Sequence, residues 1–367
     1  MTYQAWEFLK YLKEMIDKKN AIIYTHSLLA ENFAKTAHGL LRGTERYNIV
    51  AVIDKIHFGK DAGNVFHNKK LNIPVYETVE SFLNDNTQTI DFCIVGVAFP
   101  GGQLPDECRD ELFSAMRNKI SIVSGLHQLL SEDKDFIKIS KKYSIDLIDI
   151  RKPRPTSELH FWSGEIFDVK TPIIAVLGTD CAVGKRTLAR YLWKECKKKE
   201  IHSELIFTGQ TGWLQGYPHG FIFDATPNDF VSGEIERAII NCNKDSNPDL
   251  IFLEGQSSLR NPSGPCGSEF ILSGNAKNIF LVHPIEREFF IDLEEKECRL
   301  PNIQDEIKLI EAYGANVLGL GINYDGKSTN EFEKIKNQLS DNLSLPVLNP
   351  VQDGVSLFVD KIQKTLL

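Results

Sequence analysis

The stretch Ile173-Ile-Ala-Val-Leu-Gly178-Thr-Asp-Cys-Ala-Val-Gly184-Lys185-Arg-Thr187 decides the fold class of the second half of the chain. An apolar run that predicts a buried strand leads directly into a glycine-containing loop, and a helix is predicted to begin at Lys185. This is the context of a P-loop, in which backbone amides and a helix N-terminus face a phosphate and a lysine adds positive charge. An ordinary glycine-containing turn is the competing interpretation, and the order of strand, Gly-Lys and helix disfavours it.

The loop departs from the common P-loop pattern at two points. Five residues separate Gly178 from Gly184, whereas the motif has four. Arg186 stands where a Ser or Thr usually binds magnesium. Thr187 is displaced by one position, which rotates its side chain by about 100° around the helix. The sequence therefore predicts phosphate binding and places magnesium coordination in doubt. The residues predicted to bind the phosphate-bearing ligand are Gly178, Thr179, Asp180, Gly184, Lys185, Arg186 and Thr187.

Three further polar residues follow predicted strands. Glu254 ends the run Leu250–Leu253, which is the Walker-B position suited to a metal or a water, or else it caps the next turn. Asn323 ends a late strand, where its amide could pair with adenine, or else it is a turn residue; we include it among the ligand-binding residues. His283 directly follows the strand Ile279–Val282 and is either structural or catalytic.

Two polar loops add candidates for substrate binding. Thr208–Trp213 and Asp224–Phe230 are dense in Gly, Thr, Asn and Asp. Loops at the carboxyl ends of strands hold ligands in doubly wound folds, although turn chemistry alone also explains this composition. Trp213 either stacks on a ligand ring or packs over its loop. The predicted substrate-binding residues are Gln210, Thr211, Trp213, Asn228, Gln256 and Arg260.

The predicted fold class is α/β, with two doubly wound parallel-sheet domains, because apolar runs alternate with helical segments in both halves. The first domain, residues 1–150, is Rossmann-like but has no G-x-G-x-x-G after its first strand, so Asp54 is predicted to be a cap or surface acid. A connector over 151–170 leads to a P-loop NTPase-like domain, residues 171–367. An amphipathic helix is predicted at the N-terminus from the spacing of Trp6, Leu9, Leu12 and Ile16.

Composition narrows the class of protein. The 367 residues suggest two or three domains, and a net charge of -8 argues against nucleic-acid binding through bulk charge. No apolar run has the length of a membrane span. The seven cysteines are scattered without a Cys-x-x-Cys pair, which disfavours a disulfide framework and a thiolate metal site, so no metal is expected. The N-terminus lacks the features of a signal peptide, and a cytoplasmic protein is expected.

The motifs resemble known families. Gly-Thr-Asp-x-x-Val-Gly-Lys, Glu254-Gly and Gly319-x-x-x-Asn323 resemble the dethiobiotin synthetase branch of P-loop enzymes. The strings GTDCAVGKRT, TGQTGW, DATPNDFVSGE and LEGQSSL together resemble the DgcN-type D-glutamate N-acetyltransferase family, formerly a domain of unknown function. That resemblance covers nearly the whole chain. It implies acetyl transfer from acetyl-coenzyme A to the amine of a D-amino acid, with D-glutamate as the small-molecule acceptor, in a homodimer or higher homo-oligomer.

An amine acetyltransferase needs a base to deprotonate the acceptor and cations to hold its carboxylate. The candidates for the base are Asp229, Glu254 and His283, and the candidate cations are Arg186, Arg260 and Arg287. Two other functions stay open. One is an ATP-dependent ligase or kinase of the dethiobiotin synthetase kind, in which Asp180 and Glu254 hold magnesium. The other is a nucleotide-binding regulatory protein without turnover.

Overall fold

A computed structural model describes residues 18–323 and 329–367 of the chain. The helix predicted from Trp6, Leu9, Leu12 and Ile16 lies outside the described residues. The chain divides into two compact units. The first comprises the described residues up to Pro153 together with Gln210–Tyr217, and the second comprises Arg154–Gly209 together with Pro218–Leu367.

Strands and α-helices are numbered here in chain order through the described residues. The strands are β1 Lys19–His26, β2 Tyr47–Asp54, β3 Val75–Tyr76, β4 Phe92–Val95, β5 Ser121–Ser124, β6 Leu147–Asp149, β7 Ile173–Gly178, β8 Ser203–Ile206, β9 Leu250–Glu254, β10 Asn278–Pro284, β11 Asn316–Asn323 and β12 Val347–Leu348. The helices are α1 Lys35–Leu41, α2 Ala62–His67, α3 Val79–Asp85, α4 Arg109–Arg117, α5 Lys134–Tyr143, α6 Lys185–Lys198, α7 Gln210–Gln215, α8 Asn228–Ser246, α9 Ser268–Leu272, α10 Ile303–Ala312, α11 Thr329–Leu343 and α12 Ser356–Leu366. None of these helices is long and apolar enough to cross a membrane.

The first unit is a parallel six-stranded sheet in the order β3-β2-β1-β4-β5-β6. Successive side chains of β1 enter two different apolar cores, Ile22 and Tyr24 on one face and Ala21 and Ile23 on the other. A strand alternates its side chains between the faces of its sheet, so burial of both sets means that the sheet is covered on both faces. This unit is the predicted Rossmann-like domain.

Asp54, at the end of β2, is fully buried and acts as a cap. Its carboxylate accepts hydrogen bonds from the Thr25 hydroxyl at 2.9 Å, the Leu29 amide at 2.9 Å and the His57 ring at 2.8 Å. These bonds hold the chain segments that follow β1 and β2. The carboxylate that a dinucleotide-binding fold would direct to a ribose is therefore used within the protein.

The second unit is also a parallel six-stranded sheet, in the order β12-β11-β10-β7-β9-β8. Every residue of β7 is buried, because the strand lies inside the sheet between β9 and β10. The prediction of two α/β domains with parallel sheets, Rossmann-like and P-loop, is confirmed. The short strands β3, β6 and β12 were not predicted, since two or three residues carry too little apolar pattern.

The helix α8 occupies 19 residues that begin inside a segment expected to be a polar loop. Its buried residues Val231, Ile235, Ala238, Ile239 and Cys242 recur at helical spacing, which is the signal that the loop-like start Asp224–Phe230 concealed. The helix begins directly after Pro227, which the missing amide of proline permits. Helix α7 was expected to be a loop of the second domain. It belongs to the first unit, although the segments before and after it in the sequence belong to the second.

Two buried glutamates of α8 hold the segment that leads into the second unit. Glu236 accepts hydrogen bonds from the amides of Ser163 at 2.6 Å, Gly164 at 2.8 Å and Ile166 at 3.1 Å. Glu234 accepts the His160 amide at 3.0 Å and pairs with Arg154. Ionised carboxylates are strong acceptors, so these bonds fix a stretch whose secondary structure consists of two short 3-10 helices, Thr156–Glu158 and Glu165–Asp168.

Gly233 makes this packing possible, and the Gly233→Ala variant tests it. A Cβ at this position would lie 2.6 Å from the carbonyl carbons of His160 and Phe161, so backbone must move to admit it. We expect a loss of about 1–3 kcal/mol in the free energy of unfolding, measured by chemical denaturation. The matched control is Gly264→Ala, whose Cβ would meet only the Ser257 hydroxyl at 3.8 Å. Equal stability of the two variants would contradict this account.

Candidate functional site

The loop between β7 and α6 leaves open space at the N-terminus of a helix. Ala182 and Gly184 adopt positive φ angles of 54° and 103°. A Cβ on Gly184 would meet no atom within 4 Å, so the space in front of the glycine is empty of protein. The 14-residue helix α6 begins at the next residue and directs its N-terminal amides and dipole at this space. Phosphate binding at this loop stays a prediction from the sequence.

Lys185 is buried beside the loop, and neutral carbonyls hold its ammonium group. Its Nζ donates to the carbonyl oxygens of Asp180 and Ser257, both at 2.6 Å. Burial lowers the pKa of Lys185 to about 8, because desolvation disfavours the charged form. Carbonyl partners leave the positive charge of the ammonium uncancelled, so this charge remains for an anionic ligand.

Asp180 is fully buried and its carboxylate is filled with hydrogen-bond donors. One oxygen accepts the Cys181 amide at 2.6 Å and the Asn261 side chain at 3.0 Å. The other accepts Arg287 Nη1 at 2.6 Å and the Ile291 amide at 2.9 Å. A magnesium ion would have to displace a guanidinium, two backbone amides and the Asn261 side-chain amide to reach these oxygens. The residues around Asp180 do not fit a magnesium site, and they do fit a carboxylate that braces the loop.

Glu254 ends β9, the strand next to β7, and is also buried. Its carboxylate lies 3.8 Å from Arg186 Nη1 and accepts the Thr208 amide at 3.4 Å. The Thr208 hydroxyl donates to the Glu254 carbonyl at 2.6 Å and accepts from Gln256 Nε2 at 2.9 Å. Burial raises the pKa of Glu254, and the nearby Arg186 opposes that rise.

His283 lies on the other side of the loop, in the carboxyl-terminal half of β10. Its Nδ1 is 2.9 Å from the hydroxyl of Thr179, the first residue of the loop after β7. Burial lowers the pKa of His283 to about 4, and the charge of Arg287 adds to this effect. The imidazole is therefore neutral at physiological pH. Arg287 also donates to the Cys181 carbonyl at 2.9 Å, so it contacts the loop twice.

The structure brings part of the predicted site together. The first turn of α6 contains Lys185, Arg186 and Thr187. Asn323 is the last residue of β11, and its backbone carbonyl accepts the Ile285 amide at 3.4 Å. The predicted residues that lie in the loop or next to it in the second unit are Gly178, Thr179, Asp180, Gly184, Lys185, Arg186, Glu254, Gln256 and His283.

The remaining predicted residues lie elsewhere or are already paired. Arg260 Nε donates to buried Glu306 at 2.6 Å. Asn228 and Asp229 are exposed in the first turn of α8. Gln210, Thr211 and Trp213 lie on α7 in the first unit: Gln210 and Thr211 are each 3.4 Å from the Thr36 hydroxyl, and the Arg46 guanidinium lies 4.1 Å from the centre of the Trp213 ring.

Sequence analysis missed the role of Asn261, which binds Asp180 across 81 positions of sequence. It lies in the loop Asn261-Pro-Ser-Gly-Pro, where turn residues hide a side chain with a long-range partner. Within residues 18–323 and 329–367, no three His, Cys, Asp or Glu side chains come together as a metal site.

Comparisons with known proteins agree with this architecture. The family model described as the "DUF1611_C P-loop domain", a domain of unknown function, matches residues 160–359, and the "DUF1611_N Rossmann-like domain" matches residues 56–153. A D-glutamate N-acetyltransferase of a Pseudoalteromonas species is 29% identical over 273 residues, covering 72% of this chain and 79% of the relative. A protein of the same name from Tritonibacter scottomollicae is 27% identical over 279 residues, covering 73% and 80%.

A solved structure extends the similarity to the whole fold. The crystal structure of a DUF1611 family protein from Anabaena variabilis superposes with a TM-score of 0.85 at 25% sequence identity, and covers 95% of this chain and 100% of that one. The match to the P-loop domain alone spans more than half of the 367 residues. The chain belongs to the DUF1611 family.

Proposed function

We propose that this protein is an N-acetyltransferase that moves acetyl from acetyl-coenzyme A to the amine of a D-amino acid, with D-glutamate as the acceptor. The observation that carries the proposal is the similarity to two relatives named D-glutamate N-acetyltransferase over 72% and 73% of the chain. The anion-binding loop adds support from the chemistry of the site, since coenzyme A carries a pyrophosphate and a ribose phosphate.

The phosphate loop serves binding in this proposal and has no part in phosphoryl transfer. Lys185, Arg186 and the N-terminal amides of α6 hold the pyrophosphate of the donor. Asp180 braces the loop through Asn261 and Arg287 and takes no metal. A ligase or kinase needs a magnesium ion at this position, so the filled carboxylate of Asp180 favours the acetyltransferase over the ATP-dependent alternative.

In the reaction, the acceptor amine attacks the thioester carbonyl, the new C–N bond forms and the C–S bond breaks. The ammonium proton passes to a base, and the coenzyme A thiolate leaves and takes up a proton. When the pantetheine arm of the donor is extended, its thioester lies on the order of 15 Å from the pyrophosphate, as the length per bond of an extended chain gives. His283, which is bonded to Thr179 of the phosphate loop, and Glu254, which lies beside Arg186 of α6, are therefore distant from the amine in this proposal.

Asp229 is the remaining candidate for the base. Helix α8 leads into β9 of a parallel sheet, so its N-terminus lies at the carboxyl edge of the sheet, where the phosphate loop also lies. Asp229 occupies the first turn of α8 and its side chain is exposed. We assign Asp229 to the deprotonation of the amine, and Glu254 and His283 to the phosphate end of the donor.

The Lys185→Met variant tests the role of the loop. We expect its affinity for acetyl-coenzyme A to fall by about 10- to 100-fold, since a bond to a charged group is lost. Wild-type affinity should decline as pH rises through about 8, because the ammonium of the free protein then loses its proton, and the variant should lack this decline. Calorimetric titration measures both effects.

Two controls accompany this test. The variant Lys198→Met removes an exposed lysine from the far end of the same helix, and it should bind like the wild type. S-Acetylpantetheine, which has a thioester but no pyrophosphate, should bind wild type and Lys185→Met equally. Unchanged affinity of Lys185→Met for acetyl-coenzyme A at every pH would remove the loop from the donor site.

The Asp229→Asn variant tests the assignment of the base. We expect kcat for D-glutamate acetylation to fall by about 10²- to 10⁴-fold, with the affinity for acetyl-coenzyme A unchanged. Glu254→Gln and His283→Asn should instead weaken donor binding. Asp245→Asn, an exposed acid at the other end of α8, is the matched control for kcat. A normal kcat in Asp229→Asn would show that another group accepts the proton.

A further inference from the structure

A cavity of about 410 Å³ lies beside the phosphate loop in the second unit. Two residues of its wall also contact the phosphate loop: His283 of β10 is bonded to Thr179, and Arg287, which follows β10, is bonded to Asp180. The cavity and the loop therefore share a wall. A molecule whose pyrophosphate occupies the loop can place an adjoining group in this cavity.

The lining combines three kinds of chemistry. Arg287 and Arg299 supply positive charge, and Glu288 of the same lining supplies one carboxylate. Side-chain amides suited to the polar edge of a base come from Gln304 and Asn342, whereas the Asn302 side-chain oxygen already accepts the Gln304 backbone amide at 2.8 Å. Apolar surface suited to the faces of a flat ring comes from Leu300, Ile303 and Leu339. A volume of 410 Å³ lies within the range of small-molecule pockets, and these three components correspond to an anion, a polar edge and an aromatic face.

Both arginines have donors in suitable positions for a phosphate. The hydrogen bonds of Arg287 to the described residues all use Nη1, so its Nη2 and Nε have no protein partner among them. The Arg299 guanidinium lies 5.1 Å from the centre of the Phe289 ring and pairs with Glu288. A stacked guanidinium keeps its in-plane donors free to bind an anion. Because both side chains of this pair are exposed, a ligand phosphate that bound Arg299 would compete with Glu288.

From this arrangement we infer that the cavity binds the 3′-phosphoadenosine end of coenzyme A, and that Arg299 holds the 3′-phosphate. The inference rests on the proposed donor and deepens it. It identifies how the protein distinguishes coenzyme A from adenosine diphosphate and adenosine triphosphate, which have a pyrophosphate but no 3′-phosphate. Asn323, predicted from the sequence to meet adenine, pairs in register with Pro284 at the end of β10, one residue beyond His283 of the cavity wall.

The test compares coenzyme A with 3′-dephospho-coenzyme A, which differ only in the 3′-phosphate, by calorimetric titration of the full chain. We expect the wild type to bind coenzyme A about 10- to 100-fold more tightly, as for hydrogen bonds to charged groups. Arg299→Gln should lose this preference through weaker binding of coenzyme A, with its affinity for the dephospho compound unchanged. Arg299→Lys, which keeps the charge, should retain part of the preference.

Two further variants make the test specific. Glu288→Gln removes the competing carboxylate and should bind coenzyme A at least as tightly as the wild type. Arg117→Gln, an exposed arginine of α4 in the first unit, should keep the full preference. Thermal unfolding of each variant checks that the fold is intact.

The outcomes separate the two proposals. If the wild type binds neither compound, the proposed donor is wrong, and the cavity assignment fails with it. If the wild type binds both and Arg299→Gln keeps the wild-type preference, the donor stands and the assignment of the cavity is wrong. Equal affinity of the wild type for the two compounds, or weaker binding of coenzyme A by Glu288→Gln, also overturns the assignment.

Discussion

The buried carboxylate of Asp180 is the constraint on which the site depends. A buried charge is stable only when hydrogen bonds replace its hydration, and Asp180 receives four of them. Its donors come from the loop itself, from the segment after β9 and from the segment after β10. One side chain therefore ties three connections of the sheet together beside the loop. Since other groups already saturate this carboxylate, the ammonium of Lys185 is held by the backbone carbonyls of Asp180 and Ser257 instead.

Much of the fold was predictable from the sequence because long apolar runs determine it. The runs that became β7, β9, β10 and β11 carry enough buried residues to be recognised, and the strand–loop–helix order around Lys185 identifies the P-loop. The start of α8 was missed, because Pro227 and the polar residues before it have turn composition, although the apolar spacing beyond them is helical. Local composition there conceals a pattern that extends over several turns.

The candidate site was predictable only where a short sequence motif is enough to identify its residues. Gly184 and Lys185 belong to a short motif of strand, loop and helix, so the sequence reveals them. Asn261 acts through a partner 81 positions away, and no local pattern reports such a pair. Trp213 was predicted either to stack on a ligand ring or to pack over its loop, and the contact of its ring with the Arg46 guanidinium is a further pairing that no local pattern reports. Contacts between distant segments, which the sequence does not encode locally, account for both differences.

The central claim is that the phosphate loop binds an acyl donor and needs neither ATP nor magnesium. The most direct measurement is transfer of label from radiolabelled acetyl-coenzyme A to D-glutamate by the full chain, in the presence of a metal chelator. This account predicts labelled N-acetyl-D-glutamate with release of one coenzyme A per product, at a rate that the chelator does not change. Product that forms only when ATP and magnesium are supplied, or ATP consumption without acetyl transfer, would contradict it.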